Sequence, residues 1–429
     1  MKKLIWGAVL GMAPALAFSQ AGHIMQGVGA VNMSMGGAST AQPLDISGAL
    51  QWNPAGITTF KNRELSVNIG LFFSSPELRS TVPTPGGPMS GITKDDRGTS
   101  PMPAAAFKWA SKNKKHHFGL SAFGISGFGV TFPESNTNPI NMPQSMGGFG
   151  MLKSDYQLMQ VGFTYARKLG KRFSLGITPN FNVAYLSLNP NPLASPGIMA
   201  GYPRADKASA IGYGAQIGLL YEDPSGFKGG LSYKTKQKFG DYNFTNTYLN
   251  GGSAPSNAFQ MNYPAILSLG VGYSKKLVDV AVDYRFVNYE QTEGFKKTGW
   301  TPTASVAGFG WKNMSIVSAG IQYKGLKALP LRVGYTYSSN PIVPALAFFS
   351  TPATAVIKHA FQVGLGYELT KKVTFNMVYH YGTSGGSTRG PLLNPMMVSD
   401  TNIYGSIPGS EVSYKMNTSM LMFGADFSF

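Results

Sequence analysis

The chain uses one short phrase five times, Gly-apolar-x-Tyr, at Gly162 to Tyr165, Gly218 to Tyr221, Gly270 to Tyr273, Gly320 to Tyr323 and Gly364 to Tyr367. Each copy ends a run in which apolar residues alternate with small or polar ones, most clearly over 317–323 and 361–367. Alternation at period two describes a strand with one apolar and one polar face. Recurrence of the phrase every fifty residues or so describes a repeated unit longer than one strand. Trp109 precedes the series and Phe429 closes it at similar intervals.

The connections between these runs alternate in length. Short basic links occupy 111–115, 169–171, 223–226, 275–276, 325–327 and 371–372. Long links rich in Pro, Gly, Asn and Ser lie near 75–99, 133–152, 189–207, 240–257, 293–310, 340–355 and 384–409. Thirteen connections imply fourteen strands. An even number of antiparallel strands, with short turns at one end and long loops at the other, defines an all-β, 14-stranded transmembrane β-barrel of the bacterial outer-membrane kind.

The two faces agree with this. Val278, Val280, Val282, Tyr284 and Phe286 alternate with Asp279, Asp283 and Arg285, and Leu331, Val333, Tyr335 and Tyr337 alternate with Arg332 and Thr336. A charge facing lipid at mid-bilayer costs about 2–4 kcal/mol, so the charged set faces the lumen. There Asp279, Asp283, Arg285 and Arg332 form a paired network. The recurring tyrosines, with Trp109 and Phe429, then make an aromatic girdle at the periplasmic interface. Only 13% of residues are charged, against about 25% in soluble domains. The absence of cysteine excludes a disulfide scaffold, a thiolate metal site and a cysteine nucleophile.

Residues 1–19 read as a cleaved signal peptide, with Lys2 and Lys3 before an apolar stretch and small residues at Ala17 and Ser19. The protein is thus expected in the Gram-negative outer membrane. Residues 20–60 do not alternate. They are glycine-rich and apolar, with Asp45 placed to cap a helix and Asn53-Pro54 to open another. This segment is expected to fold as a hatch, or plug, inside the lumen, and 61–429 as the barrel.

The stretch Gly36-Gly37-Ala38, then Asn53, Pro54 and Ala55 before the first strand, resembles the FadL/TodX family of outer-membrane transporters of long-chain fatty acids and hydrophobic hydrocarbons. The run from Phe118 to Phe132, Phe173-Ser174-Leu175-Gly176 and Leu331-Arg332-Val333-Gly334-Tyr335 follow that family's strand order. The resemblance implies a monomeric barrel closed by its hatch, passive capture of an apolar ligand between extracellular loops, and sideways release at an inward kink in the third strand. It places that kink at Ser126, Gly127, Phe128 and Gly129, beside Phe123 and Ile125. The residues alone leave two readings of these glycines, a bulge or simple easing of barrel curvature. A non-specific porin and a structural or adhesive surface protein are the competing functions.

The partners expected are a hydrophobic small molecule and outer-membrane lipids, with no cofactor and no metal. The link at 341–349 is apolar where exposure is expected. Leu346, Phe348 and Phe349 either capture ligand at the surface or pack against neighbouring loops or lipid chains. Catalysis is not expected, since of five histidines only His380 clearly faces the lumen, without an evident Ser and acid nearby. The net charge of +17 does not imply nucleic acid. Much of the excess sits at the six short turns, where lysine and arginine reach anionic headgroups.

Overall fold

The computed structural model describes residues 22–354 and 356–429; the expected signal peptide, with Gln20 and Ala21, lies outside the described residues. Fourteen strands form the wall: β1 (Glu64–Val82), β2 (Thr99–Ala110), β3 (His116–Phe132), β4 (Leu152–Leu169), β5 (Phe173–Asn189), β6 (Ala208–Glu222), β7 (Phe227–Lys234), β8 (Ala265–Ser274), β9 (Val278–Asn288), β10 (Met314–Tyr323), β11 (Leu331–Ser338), β12 (His359–Thr370), β13 (Val373–Thr383) and β14 (Glu411–Ser428). Each pairs antiparallel with the next, and β14 pairs with β1 from Glu64↔Ser428 to Thr81↔Glu411, which closes the barrel. Closure removes the sheet edges that a bilayer cannot hydrate.

Alternation sets the faces. Val282 is 39% exposed on the outer wall, while its neighbours Asp283 and Arg285 are each 1% exposed on the inner one. The short turns fall where their basic residues placed them. The long links carry structure of their own: Met89–Lys94 extends the sheet on β1, and Arg204–Ala205, Tyr242–Thr247 and Ser253–Phe259 form a separate three-stranded sheet.

Inside the wall, residues 22–58 are buried throughout except at Leu44. They fold as α1 (Ala30–Ser34), α2 (Ile46–Trp52) and a 3₁₀ turn, Pro54–Thr59. Asp45 caps α2 by accepting from Gly48 N–H at 3.2 Å. Asn53 caps the turn by accepting from Ala55 N–H at 3.1 Å, and its amide donates to Thr40 O at 2.7 Å and to Leu219 O of β6 at 3.0 Å. One side chain therefore shapes the segment and ties it to the wall.

The glycines of the repeated phrase explain how backbone comes so close to backbone. A Cβ on Gly218 would strike Asn53; on Gly270, Thr40 and Ala41; on Gly320, Met35; on Gly364, Ser34. Four of the five repeats thus supply a bare floor for this segment. The fifth, Gly162, faces Ser121 and Thr178 of the wall itself.

The luminal charges separate into two groups rather than one network. Asp283 Oδ2 accepts from Ser39 N–H, Thr40 N–H and the Thr40 hydroxyl at 2.7–2.9 Å and from Arg285 at 2.7 Å. Arg285 also donates to Gly37 O at 2.7 Å and lies 3.7 Å from the Trp52 ring centre. Asp279 takes Lys324 at 2.9 Å and Gln322 at 2.8 Å, and Arg332 donates to Gln322 at 2.6 Å and to Asn376 at 3.0 Å. The first group fastens the inner segment; the second braces β9, β10, β11 and β13.

Candidate functional site

The wall is interrupted between β2 and β3. The two strands pair only from Ala104↔Phe123 to Ala110↔His117. Beyond that, Thr99 to Pro103 remain paired to β1 and residues 124–132 remain paired to β4, so two strand edges face each other without a ladder. Two local causes are visible. Pro101 and Pro103 have no N–H to give, and proline belongs at edges. On the other side Gly124 pairs with Met159 and Ser126 with Leu158, leaving Ile125 as an extra residue, a bulge. The inward set accordingly changes parity, from Phe123 to Ser126 and Phe128.

A cavity of about 280 Å³ occupies this interruption, lined among others by Phe72, Met102, Pro103, Phe128, Tyr156 and Leu158. Its inner side is closed by the start of the buried segment. The Ser126 hydroxyl and Gly127 N–H donate to His23 O at 2.7 and 3.2 Å, and Met25 N–H donates to Ile125 O at 3.0 Å. Residues 23–25 thereby take up part of the free edge of β3.

Aromatic rings continue from the cavity into the lumen. Phe128 stacks on Tyr156 with centroids 4.9 Å apart and meets Phe309 at 6.1 Å. Phe309 stacks on Phe295 at 5.4 Å, and Phe295 meets Trp311 at 4.8 Å and His23 at 5.0 Å. His23 Nδ1 is 2.7 Å from the Tyr289 hydroxyl. Toward the long loops, two small apolar spaces share Pro192, Val306, Phe349 and Pro352.

The sequence-selected residues distribute as follows. Phe123, Ile125, Ser126 and Phe128 are all buried at the interruption, with Gly127 and Gly129 among them. Asn53, Pro54 and Ala55 lie at the opposite end of the buried segment, against β5 and β6. The expected exposure of the 341–349 link is corrected. Pro344–Ser350 forms a 3₁₀ turn folded inward, Leu346 and Phe348 are 6% exposed, and Phe349 is 3% exposed. Phe348 packs on Phe149 and Phe349 on Trp300, and Tyr414 hydroxyl holds Ala347 O at 3.0 Å. These three large apolar groups had more to gain under the loops than in water. Nothing local in the sequence marks His23, Trp311 and Arg97 as part of this site. Among the described residues no group of three or more His, Cys, Asp or Glu could hold a metal.

A closed fourteen-strand barrel with a lipid-facing apolar wall, an occupied lumen and an apolar cavity at a break in that wall defines an outer-membrane barrel for hydrophobic compounds. The chain belongs to the outer membrane transport protein family (OMPP1/FadL/TodX), which it matches over residues 8–417. It is thus a transport protein of the Gram-negative outer membrane, of a family of transporters rather than enzymes. Similar solved structures include a FadL homologue of Pseudomonas aeruginosa, at 15% identity and a TM-score of 0.71 over 95% of this chain and 100% of that one. The toluene transporter TodX of Pseudomonas putida aligns at 16% identity and 0.68 over 94% and 99%. The toluene transporter TbuX of Ralstonia pickettii aligns at 16% and 0.63 over 94% and 99%. No curated protein matches the chain by sequence.

Proposed function

We propose that the protein carries hydrophobic small molecules passively across the outer membrane, taking them up beneath the extracellular loops and releasing them sideways at the β2–β3 interruption. The observation that carries this reading is the unladdered edge pair itself, with an apolar cavity between wall and lumen at the same level. Leu346, Phe348 and Phe349 act in this reading as the roof of the entry rather than as an exposed patch. Phe123, Ile125, Ser126, Gly127, Phe128 and Gly129 form the exit, and Asn53, Pro54 and Ala55 fix the hatch that blocks the direct way through. The hatch spans 20–60 and the barrel 61–429. The aromatic rings that continue from the cavity into the lumen, and the toluene transporters among the similar structures, support an aromatic hydrocarbon over a long acyl chain. Flow down a gradient needs no cofactor.

The chain has no cysteine, so a single engineered disulfide is unambiguous. Pro103 and Gly124 continue the β2–β3 register by one step, and a Cβ on Gly124 would lie 3.7 Å from Pro103 O. In cells carrying Pro103→Cys/Gly124→Cys, oxidation should lower toluene uptake to that of cells without the protein, and reduction should restore it. Undiminished uptake through fully cross-linked protein would refute sideways release. Large steady currents across a planar bilayer would instead indicate a porin.

A further inference from the structure

The outer rim of the interruption carries one ion pair. Arg97 lies in the link between Met89–Lys94 and β2, and its Nη2 donates to Asp155 Oδ1 of β4 at 2.5 Å. The same link is fastened at three further points, two across the opening to β3 and one back to β1. Asp96 N–H donates to Thr131 O at 2.8 Å, Thr131 N–H donates to Asp95 Oδ1 at 2.5 Å, and Asp95 N–H donates to Pro76 O of β1 at 3.1 Å. Between these anchors the guanidinium passes directly over β3. A Cβ on Gly129 would collide with its Cζ and Nη1, so the absence of a side chain there is what lets Arg97 reach β4.

Arg97 is one of the residues lining the cavity and stands at the end opposite the β2–β3 ladder. Its side chain is 15% exposed and that of Asp155 30%. A pair so placed is screened less than one in open water. The opening therefore has a floor made by the ladder from Ala104↔Phe123 downward and a ceiling made by a charged strap. Its sides are soft: Met102 borders the cavity, and Met25, Met33, Met420 and Met422 pack behind Phe72. Methionine side chains accommodate varied shapes, so the sides impose little on an occupant.

We propose that the Arg97–Asp155 strap is the specificity-determining element of the exit, fixing how far the opening extends toward the cell surface and hence the length of molecule that leaves the wall. The proposal rests on the reading that ligands leave there. Compact molecules pass beneath the strap, and elongated ones pass only when it parts.

The test compares initial uptake of toluene and of the longer N-phenyl-1-naphthylamine in cells producing wild type, Arg97→Ala, Asp155→Ala and the exchanged pair Arg97→Asp/Asp155→Arg. Heat-modified gel mobility verifies that each barrel is folded. Either single variant raises the ratio of long to compact uptake about fivefold, the effect of one modest ion pair, and the exchanged pair returns it toward wild type. A ratio unmoved in folded single variants, or as high in the exchanged pair as in the singles, overturns the strap and leaves lateral transport standing. Wild-type cells that take up neither probe above background overturn the transport reading and the strap with it.

Discussion

Glu293 joins two of the long loops by accepting three bonds, from Lys296 Nζ at 2.8 Å, Lys236 Nζ at 2.9 Å and Asn262 Nδ2 at 2.5 Å. Burial by itself raises its carboxyl. The bonds from Lys296, Lys236, its own backbone and Asn262 outweigh that and bring it down to about 2 from an ordinary 4.5. A carboxyl lowered in this way stabilises the folded state fully above its ordinary value and loses that contribution as pH falls through the folded one. The melting temperature in detergent should therefore drop between pH 4.5 and 2, and Glu293→Gln should be less stable at pH 7 and flatter across that range. Equal pH slopes in the two proteins would contradict this. Some residues could be found from sequence because their work is local: Asn53 caps the turn that directly follows it, and the proline after it marks that turn. Arg97 and His23, and Glu293 in its bonds to Lys236 and Asn262, act on partners far along the chain, and no spacing in the sequence encodes such meetings.

The strands were legible for a similar reason. Period-two alternation and basic turns are written within each hairpin, so fourteen strands and their inner and outer faces follow without knowledge of the rest of the chain. The bulge at Ile125 was only half legible. Glycines at 124, 127 and 129 announce an irregularity, but the loss of ladder also needs Pro101 and Pro103 on the neighbouring strand. Deleting Ile125 while replacing Pro101 and Pro103 by Thr should restore both the parity of β3 and the missing donors of β2. Amides of 126–131 should then gain protection from hydrogen exchange, and toluene uptake should fall. Continued rapid exchange there would mean that the edges are held apart by the hatch rather than by the strands. The 341–349 link is buried although a loop's position suggests water, because the long loops together cover enough area to bury apolar side chains of their own, which agrees with the reading that these residues pack against neighbouring loops.

At the scale of the molecule the hatch is held over a floor of glycines by hydrogen bonds to the wall and by apolar side chains, Met25, Met33 and Leu50 among them, packed with those of the wall. Gly320 meets the backbone of Met35, which cannot swing aside, and Gly270 meets the hatch-anchoring carboxylate of Asp283 as well as Thr40 Cβ and Ala41 N. Replacing both by Val should cost about 1–3 kcal/mol at each site, loosening the hatch while the strands remain. In planar bilayers the double variant should pass ion currents that the wild type does not, with unchanged far-ultraviolet circular dichroism; a silent variant would mean that the seat tolerates side chains. The same four glycines recur at one register in successive hairpins, three residues before the outward tyrosine near the end of each strand. A hairpin gained or lost by duplication would bring or remove its share of the seat. Barrel circumference and plug are therefore inherited together, and a lineage that widened this wall by copying hairpins would have had to lengthen its plug in step or accept a leak.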